Sequence, residues 1–249
     1  MAIFHEPIHE MRVQHIGVYW QLIRKKFPLC QQQSPILSPN DPQSSALLAA
    51  MPDEIFPLPR FWFSGKDDPN LIQIQRDAFI LNWRRGTNTA YPHYEQVEQD
   101  FWEHFETYRR FVEESIDDKI DVITRCELTY INIIERNPYF SAPADIANVL
   151  PFLKGFCDLH TDKQQFLGLN SSATYRINNN LHIDLTTKLG IRADTREQIL
   201  LLEFKVHGVP QVPTNDGAHD WYKVAHDVIY SNFLANTDQQ VQNKVWKRQ

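Results

Sequence analysis

From Leu71 to Trp83, apolar and polar residues alternate on both sides of the pair Arg76-Asp77. A two-residue turn at that pair sets Gln75 against Ala78, Ile74 against Phe79 and Ile72 against Leu81. Ile72, Ile74, Phe79, Leu81 and Trp83 then share one face, with Gln73, Gln75, Ile80 and Asn82 on the other. This is the pattern of an antiparallel hairpin with one face in a core and the other at least partly wet. Beyond it, Tyr91-Pro92 places Pro at a first helical position. Tyr94, Val97, Phe101, Phe105, Tyr108 and Val112 follow at spacings of three and four, a helical stripe suited to the hairpin's apolar face.

The rest of the chain reads against this centre. Ala2 to Phe4 is a short strand, and residues 13 to 27 form a helix whose apolar side is Val13, Ile16, Gly17, Trp20, Leu22 and Ile23, closed by Arg24 to Lys26 and Pro28. Gln31 to Pro59 is a long loop with one helical turn at Ser44 to Ala50. Arg60 to Phe63 and Arg125 to Ile134 are strands, and Pro143 to Leu153 is a short helix. Ala173 to Leu189 and Gln198 to Val206 make a second hairpin that turns at Ala193 to Thr195, with Ile183, Leu185, Leu189, Leu200, Leu202 and Phe204 on one face. A last helix from Asp220 carries Trp221, Val224, Val228, Ile229 and Phe233. Hairpin then long helix therefore occurs twice, which predicts an α+β protein. Its halves, 1–138 and 139–249, are packed as one unit and share an extended antiparallel sheet, an order that suggests duplication.

Composition narrows the function classes. At 249 residues, 42% hydrophobic and 12% aromatic, the chain can bury a real core. A net charge of −6 and a pI near 5.9 argue against wholesale attraction to nucleic acid or anionic membranes, though not against a local basic patch. Neither a membrane span nor a signal peptide is evident, so a cytoplasmic protein is expected. Cys30, Cys126 and Cys157 are isolated, which predicts buried thiols rather than a disulfide framework or a zinc site.

Catalytic motifs are scarce. The eight glycines form neither GxGxxG nor a P-loop, and GxSxG and HExxH do not occur. His219-Asp220 and His226-Asp227 lie two helical turns apart, about 10 Å of rise, too far for one metal. Neither a metal nor a cofactor is expected. One spacing carries catalytic meaning: with a turn near residue 194, Asp184 falls opposite Glu203, and Lys205 shares their face. Two carboxylates with a lysine are the donor set of a metal-dependent nuclease, and equally an ordinary cross-strand charge group. For binding, Arg76, Arg84 and Arg85 with Asn82, Tyr91 and Tyr94 form a candidate set, since arginine beside aromatics recognises carboxylates, phosphates or an acidic protein face. Glu127, Tyr130 and Asn132 put polar groups in a strand, where a structural hydrogen-bond network is the expected use.

Several stretches together resemble a sporadically distributed bacterial family without an assigned biochemical activity. They are His15 to Trp20 with Phe27-Pro28, Leu71 to Arg76 with Asn82 to Arg84, Tyr91 to Tyr94, Glu127 to Asn132, and Ala225 to Ile229 with Phe233. The resemblance covers nearly the whole chain. It implies a fuller first strand than Ala2 to Phe4, so an incomplete sheet edge is expected there. A scattered distribution implies mobile genes of the defence and toxin–antitoxin kind. The resulting expectation is a non-enzymatic protein that binds another protein, as antitoxin, chaperone-like accessory or sensor. The alternatives are the Asp184/Glu203/Lys205 nuclease, a small-ligand binder, and a nucleic-acid binder using the arginines.

Overall fold

The computed structural model describes residues 1–36, 58–66, 68–84, 92–157, 168–192 and 194–246. The expected helical turn at Ser44 to Ala50 lies outside them, as do Arg85, Tyr91 and the Cys157 side chain. The fold is α+β with a nine-stranded antiparallel sheet, and the chain divides into two compact units. The first comprises Met1–Cys126 with Pro213–Asn215, the second Glu127–Val212 with Asp216–Gln249.

In the first unit, β1 (Ala2–His5) leads to α1 (Val13–Ile23) and then to the meander β2 (Leu29–Gln33), β3 (Arg60–Ser64), β4 (Asn70–Gln75) and β5 (Ala78–Trp83), followed by α2 (Tyr94–Ile116). The order is β2-β3-β4-β5-β1, with the start of β6 (Ile123–Ile134) beside β1. β1 is thus interior, pairing Ala2 with Ile80 and Phe4 with Ala78, and is not an incomplete edge. The central hairpin has the expected register, Gln75 opposite Ala78 and Ile72 opposite Leu81.

Phe79 is the hub of this unit's core. Its ring lies 5.4 to 5.6 Å from those of Phe101, Phe105 and Tyr108 on α2. The helix begins at Tyr94 behind His93, so Pro92 precedes it rather than occupying its first turn, and it ends where Asp117 takes a left-handed conformation. α1 buries Ile16, Tyr19 and Ile23, while Val13 and Leu22 face solvent. Its core face is therefore rotated from the expected one, with Tyr19 against Phe63, Tyr108 and Phe111. β2 replaces the start of the expected loop, and it leaves Cys30 exposed where a buried thiol was expected; Cys126 is buried.

The second unit repeats the order. The rest of β6 is followed by short helices, α3 (Ile146–Val149) and α4 (Lys154–Cys157), and by the meander β7 (Asn170–Asn178), β8 (Leu181–Ile191) and β9 (Gln198–Gly208). Two helices close it, α5 (Asn215–Asn236) and α6 (Gln239–Lys244). The strand order is β6-β9-β8-β7. A turn at residues 179–180 splits the expected long strand into β7 and β8. Leu200, Leu202, Phe204 and Val206 are fully buried on one face of β9, and Phe204 meets Phe233 of α5 edge-on. α5 starts five residues earlier than expected and keeps Trp221, Tyr222, Ala225 and Ile229 inside, while Val224 is exposed.

Candidate functional site

The reverse faces of the two meanders, away from the aromatic cores, hold most of the polar residues singled out in the sequence. In the first unit that face carries Arg60, Gln73, Gln75 and Asn82. Gln73 accepts from Arg60 and donates to Asn82. Gln75 exchanges hydrogen bonds with the backbone of Ile36, accepting from its N–H at 3.0 Å and donating to its carbonyl at 3.2 Å, and it also donates to Asp77 Oδ1 at 2.6 Å. Gln73 and Gln75 are only 6% and 4% exposed, so the face expected to be partly wet is covered. Burial is tolerable here because each amide has its partners.

The described members of the arginine set do not converge. Arg76 turns inward and donates from Nε and Nη2 to the Met11 carbonyl, 3.3 Å each, tying the hairpin turn to the segment before α1. Arg84 is exposed at the far end of β5, about 20 Å away by strand rise. Asn82 belongs to the glutamine network, and Tyr94 opens α2. Burial also perturbs titratable groups in this unit. His5 is pushed down to about 4 by desolvation, with Nδ1 against Glu6 O at 2.8 Å and Nε2 3.3 Å from the Tyr108 hydroxyl. His104 is lowered by burial and by Lys26, whose Nζ lies 3.4 Å away.

In the second unit the reverse face is the more exposed of the two, although Ile199 on it is buried and the side chains of Glu127, His207, Asp184 and Lys205 keep only 17 to 31% of their surface. β8 sends His182, Asp184, Thr186 and Lys188 to it, and β9 sends Ile199, Leu201, Glu203, Lys205 and His207. The register runs from Arg192 through Glu197 at the turn, so Asp184 faces Lys205 and Glu203 faces Thr186. The expected Asp184–Glu203 opposition is thus displaced by two residues, which preserves the face and changes every neighbour. Asp184 accepts from Thr174 Oγ1 at 2.7 Å and lies 3.3 Å from His207 Nε2. Lys205 lies 4.0 Å from Glu127, and the His182 and His207 rings stack at 5.5 Å. Both oxygens of Asp184 and the lysine are engaged by neighbours across strands, in the manner of a charge ladder.

β6 divides its polar residues between two faces. Glu127, Thr129, Ile131 and Ile133 share the open side, while Tyr130 and Asn132 point to the helix-covered side. There the Tyr130 hydroxyl meets His226 Nδ1 at 2.9 Å, and Asn132 donates to Leu202 O at 3.2 Å. Ile131 and Ile133 are 60% and 54% exposed, on the same face as Leu201 and the buried Ile199 of the neighbouring β9. Sequence reading grouped Glu127 with Tyr130 and Asn132 and passed over the two isoleucines; strand parity from Cys126 onward was the signal that separates them. A shallow depression of about 420 Å³ near the β8–β9 turn is lined by Arg136, Ile191, Arg196, Glu197 and Gln198. Its lining lacks the apolar walls that enclose a small ligand.

No helix among the described residues is long and apolar enough to cross a membrane. Comparison with family models, curated proteins and solved structures finds no match.

Proposed function

We propose that the protein works by binding another protein, without catalysing a reaction, and that the open face of the second unit's sheet is the surface it uses. The observation that carries this reading is the exposed pair Ile131 and Ile133 on β6, beside the strand β9 that carries Leu201, with the Glu127, Lys205, Asp184 and His207 ladder on the same face. An apolar centre with a polar rim is the anatomy of a protein interface. The same chain makes polar residues on the first unit's reverse face satisfy one another, so an open counterpart is a distinct surface. A role as antitoxin, accessory or sensor in a bacterial defence system is one form of such binding, and the family resemblance alone suggests it.

The test is capture of partners from the native host by tagged protein, comparing wild type with Ile131→Asp/Ile133→Asp and with Arg84→Glu/Arg85→Glu. The isoleucine variant keeps its circular dichroism and loses the partner; the arginine variant keeps both. Retention of every partner by the isoleucine variant refutes this assignment of the surface. A nucleic-acid partner would reveal itself by affinity that falls steeply with salt, through counterion release.

A further inference from the structure

The geometry points to β7 as a self-association edge, at which two copies of this chain pair their β7 strands antiparallel about Thr174. β7 is the terminal strand of its sheet, and its outer side pairs with nothing among the described residues. Leu189 N donates to Leu169 O at 2.9 Å, so Leu169 and every second residue after it turn their backbone groups toward β8. The N–H and C=O groups of Asn170, Ser172, Thr174 and Arg176 therefore point outward. Edge strands of natural proteins are blunted by shortness, Pro, Lys, inward charges or β-bulges; the one register irregularity of β7 falls between Arg176 and Asn178, at its end, and leaves Asn170 to Arg176 regular. β7 runs for nine residues, with neither Pro nor Lys and with Arg176 as its one charge, and it exposes Tyr175 and Ile177 by 56% and 45%.

The occupant follows from the sequence of the edge itself. In a pairing centred on Thr174, Tyr175 meets Ala173 and Arg176 meets Ser172, all within the part of β7 that lies before its register irregularity. Each large side chain opposes a small one, and no like charges face each other. Outward-pointing residues meet outward-pointing residues, which antiparallel hydrogen bonding requires. The contact is isologous and closes at two copies.

Sedimentation analysis at about 100 µM, well above a micromolar dissociation constant, should give twice the 29.3 kDa chain mass. Ser172→Pro removes only an outward N–H and should give a folded monomer with the wild-type dichroism. Tyr175→Lys, at an exposed position, serves the same purpose if the proline disturbs folding. In a Cys30→Ser/Cys157→Ser background, Thr174→Cys should form a disulfide-linked dimer on oxidation, because hydrogen-bonded antiparallel partners sit about 5.5 Å apart, within disulfide reach. A wild-type monomer at that concentration, a dimer that persists in folded Ser172→Pro or Tyr175→Lys, or a dimer that Thr174→Cys does not cross-link would each overturn the proposal.

Discussion

The two units are built in the same chain order: a first strand, a helical connection, an antiparallel meander whose last strand neighbours the first strand, and a long helix. Their helix-packed faces are alike in kind, with Phe79 at the centre of one and Phe204 fully buried in the other. Their reverse faces differ. In the first unit Gln73 and Gln75 are buried and engaged; in the second, two isoleucines of the equivalent face stand exposed and the charged ladder beside them is partly exposed. A polar sheet face is therefore free to diverge, provided that covering it brings partners for every polar group. One unit has spent this freedom on structure. The other has kept a surface.

The largest effects should fall where the units agree. Phe101→Ala and Phe204→Ala each remove a fully buried ring and should cost about 3–5 kcal/mol in denaturant unfolding. A small loss for Phe204→Ala alone would break the equivalence of the two helix-packed faces.

Acid should next distinguish the first unit. The unfolded chain takes a proton on His5 below about 6.5, whereas buried native His5 resists it until about 4. Stability present above 6.5 therefore falls as the pH drops toward 4, by roughly 3 kcal/mol from His5 as an upper figure. His104, lowered for the same reason, adds in the same direction. Stability measured at intervals across this window should slope downward in the wild type and less so in His5→Gln; parallel curves would mean that His5 does not carry the effect.

Arg76→Ala should cost about 1–2 kcal/mol, because the Met11 carbonyl loses its charged donor. A neutral outcome would return Arg76 to the candidate binding residues. Asp184→Ala takes the acceptor from Thr174 and the carboxylate from His207 and should cost about 0.5–1.5 kcal/mol. Assayed with Mg²⁺ or Mn²⁺ and DNA or RNA, it should behave as wild type does; cleavage present in the wild type and lost in this variant would favour the nuclease alternative.

Much of this fold was legible in the alternation of the chain, and the exceptions have particular causes. The central hairpin is readable because its turn and both strands agree on one register. β7 and β8 read as one strand because Tyr175, Ile177, Ile183 and Leu185 keep the same parity across the turn; the run Asn178 to Asn180 was the available signal. β2 escapes because an exposed edge strand of Leu-Cys-Gln-Gln-Gln shows no alternation. For α1, Trp20 and Leu22 draw the apolar stripe away from Tyr19, whose ring makes the deeper contact. The candidate site was harder to read. Alternation assigns residues to a face but does not say whether that face is covered, and a two-residue change in register moved Asp184 from Glu203 to Lys205 without altering the pattern.

The central claim is that the reverse face is a buried structural network in the first unit and a partly exposed surface in the second. Two single-atom exchanges test it most directly, Gln75→Glu and Glu203→Gln, compared by equilibrium unfolding at neutral pH. Gln75→Glu removes the donor to Ile36 O and sets a buried carboxylate against Asp77, so it should destabilise by at least about 2 kcal/mol. Glu203→Gln, at a partly exposed position of the second unit's reverse face, should remain within about 0.5 kcal/mol of wild type. Equal losses in the two variants, or a larger loss for Glu203→Gln, would contradict the account.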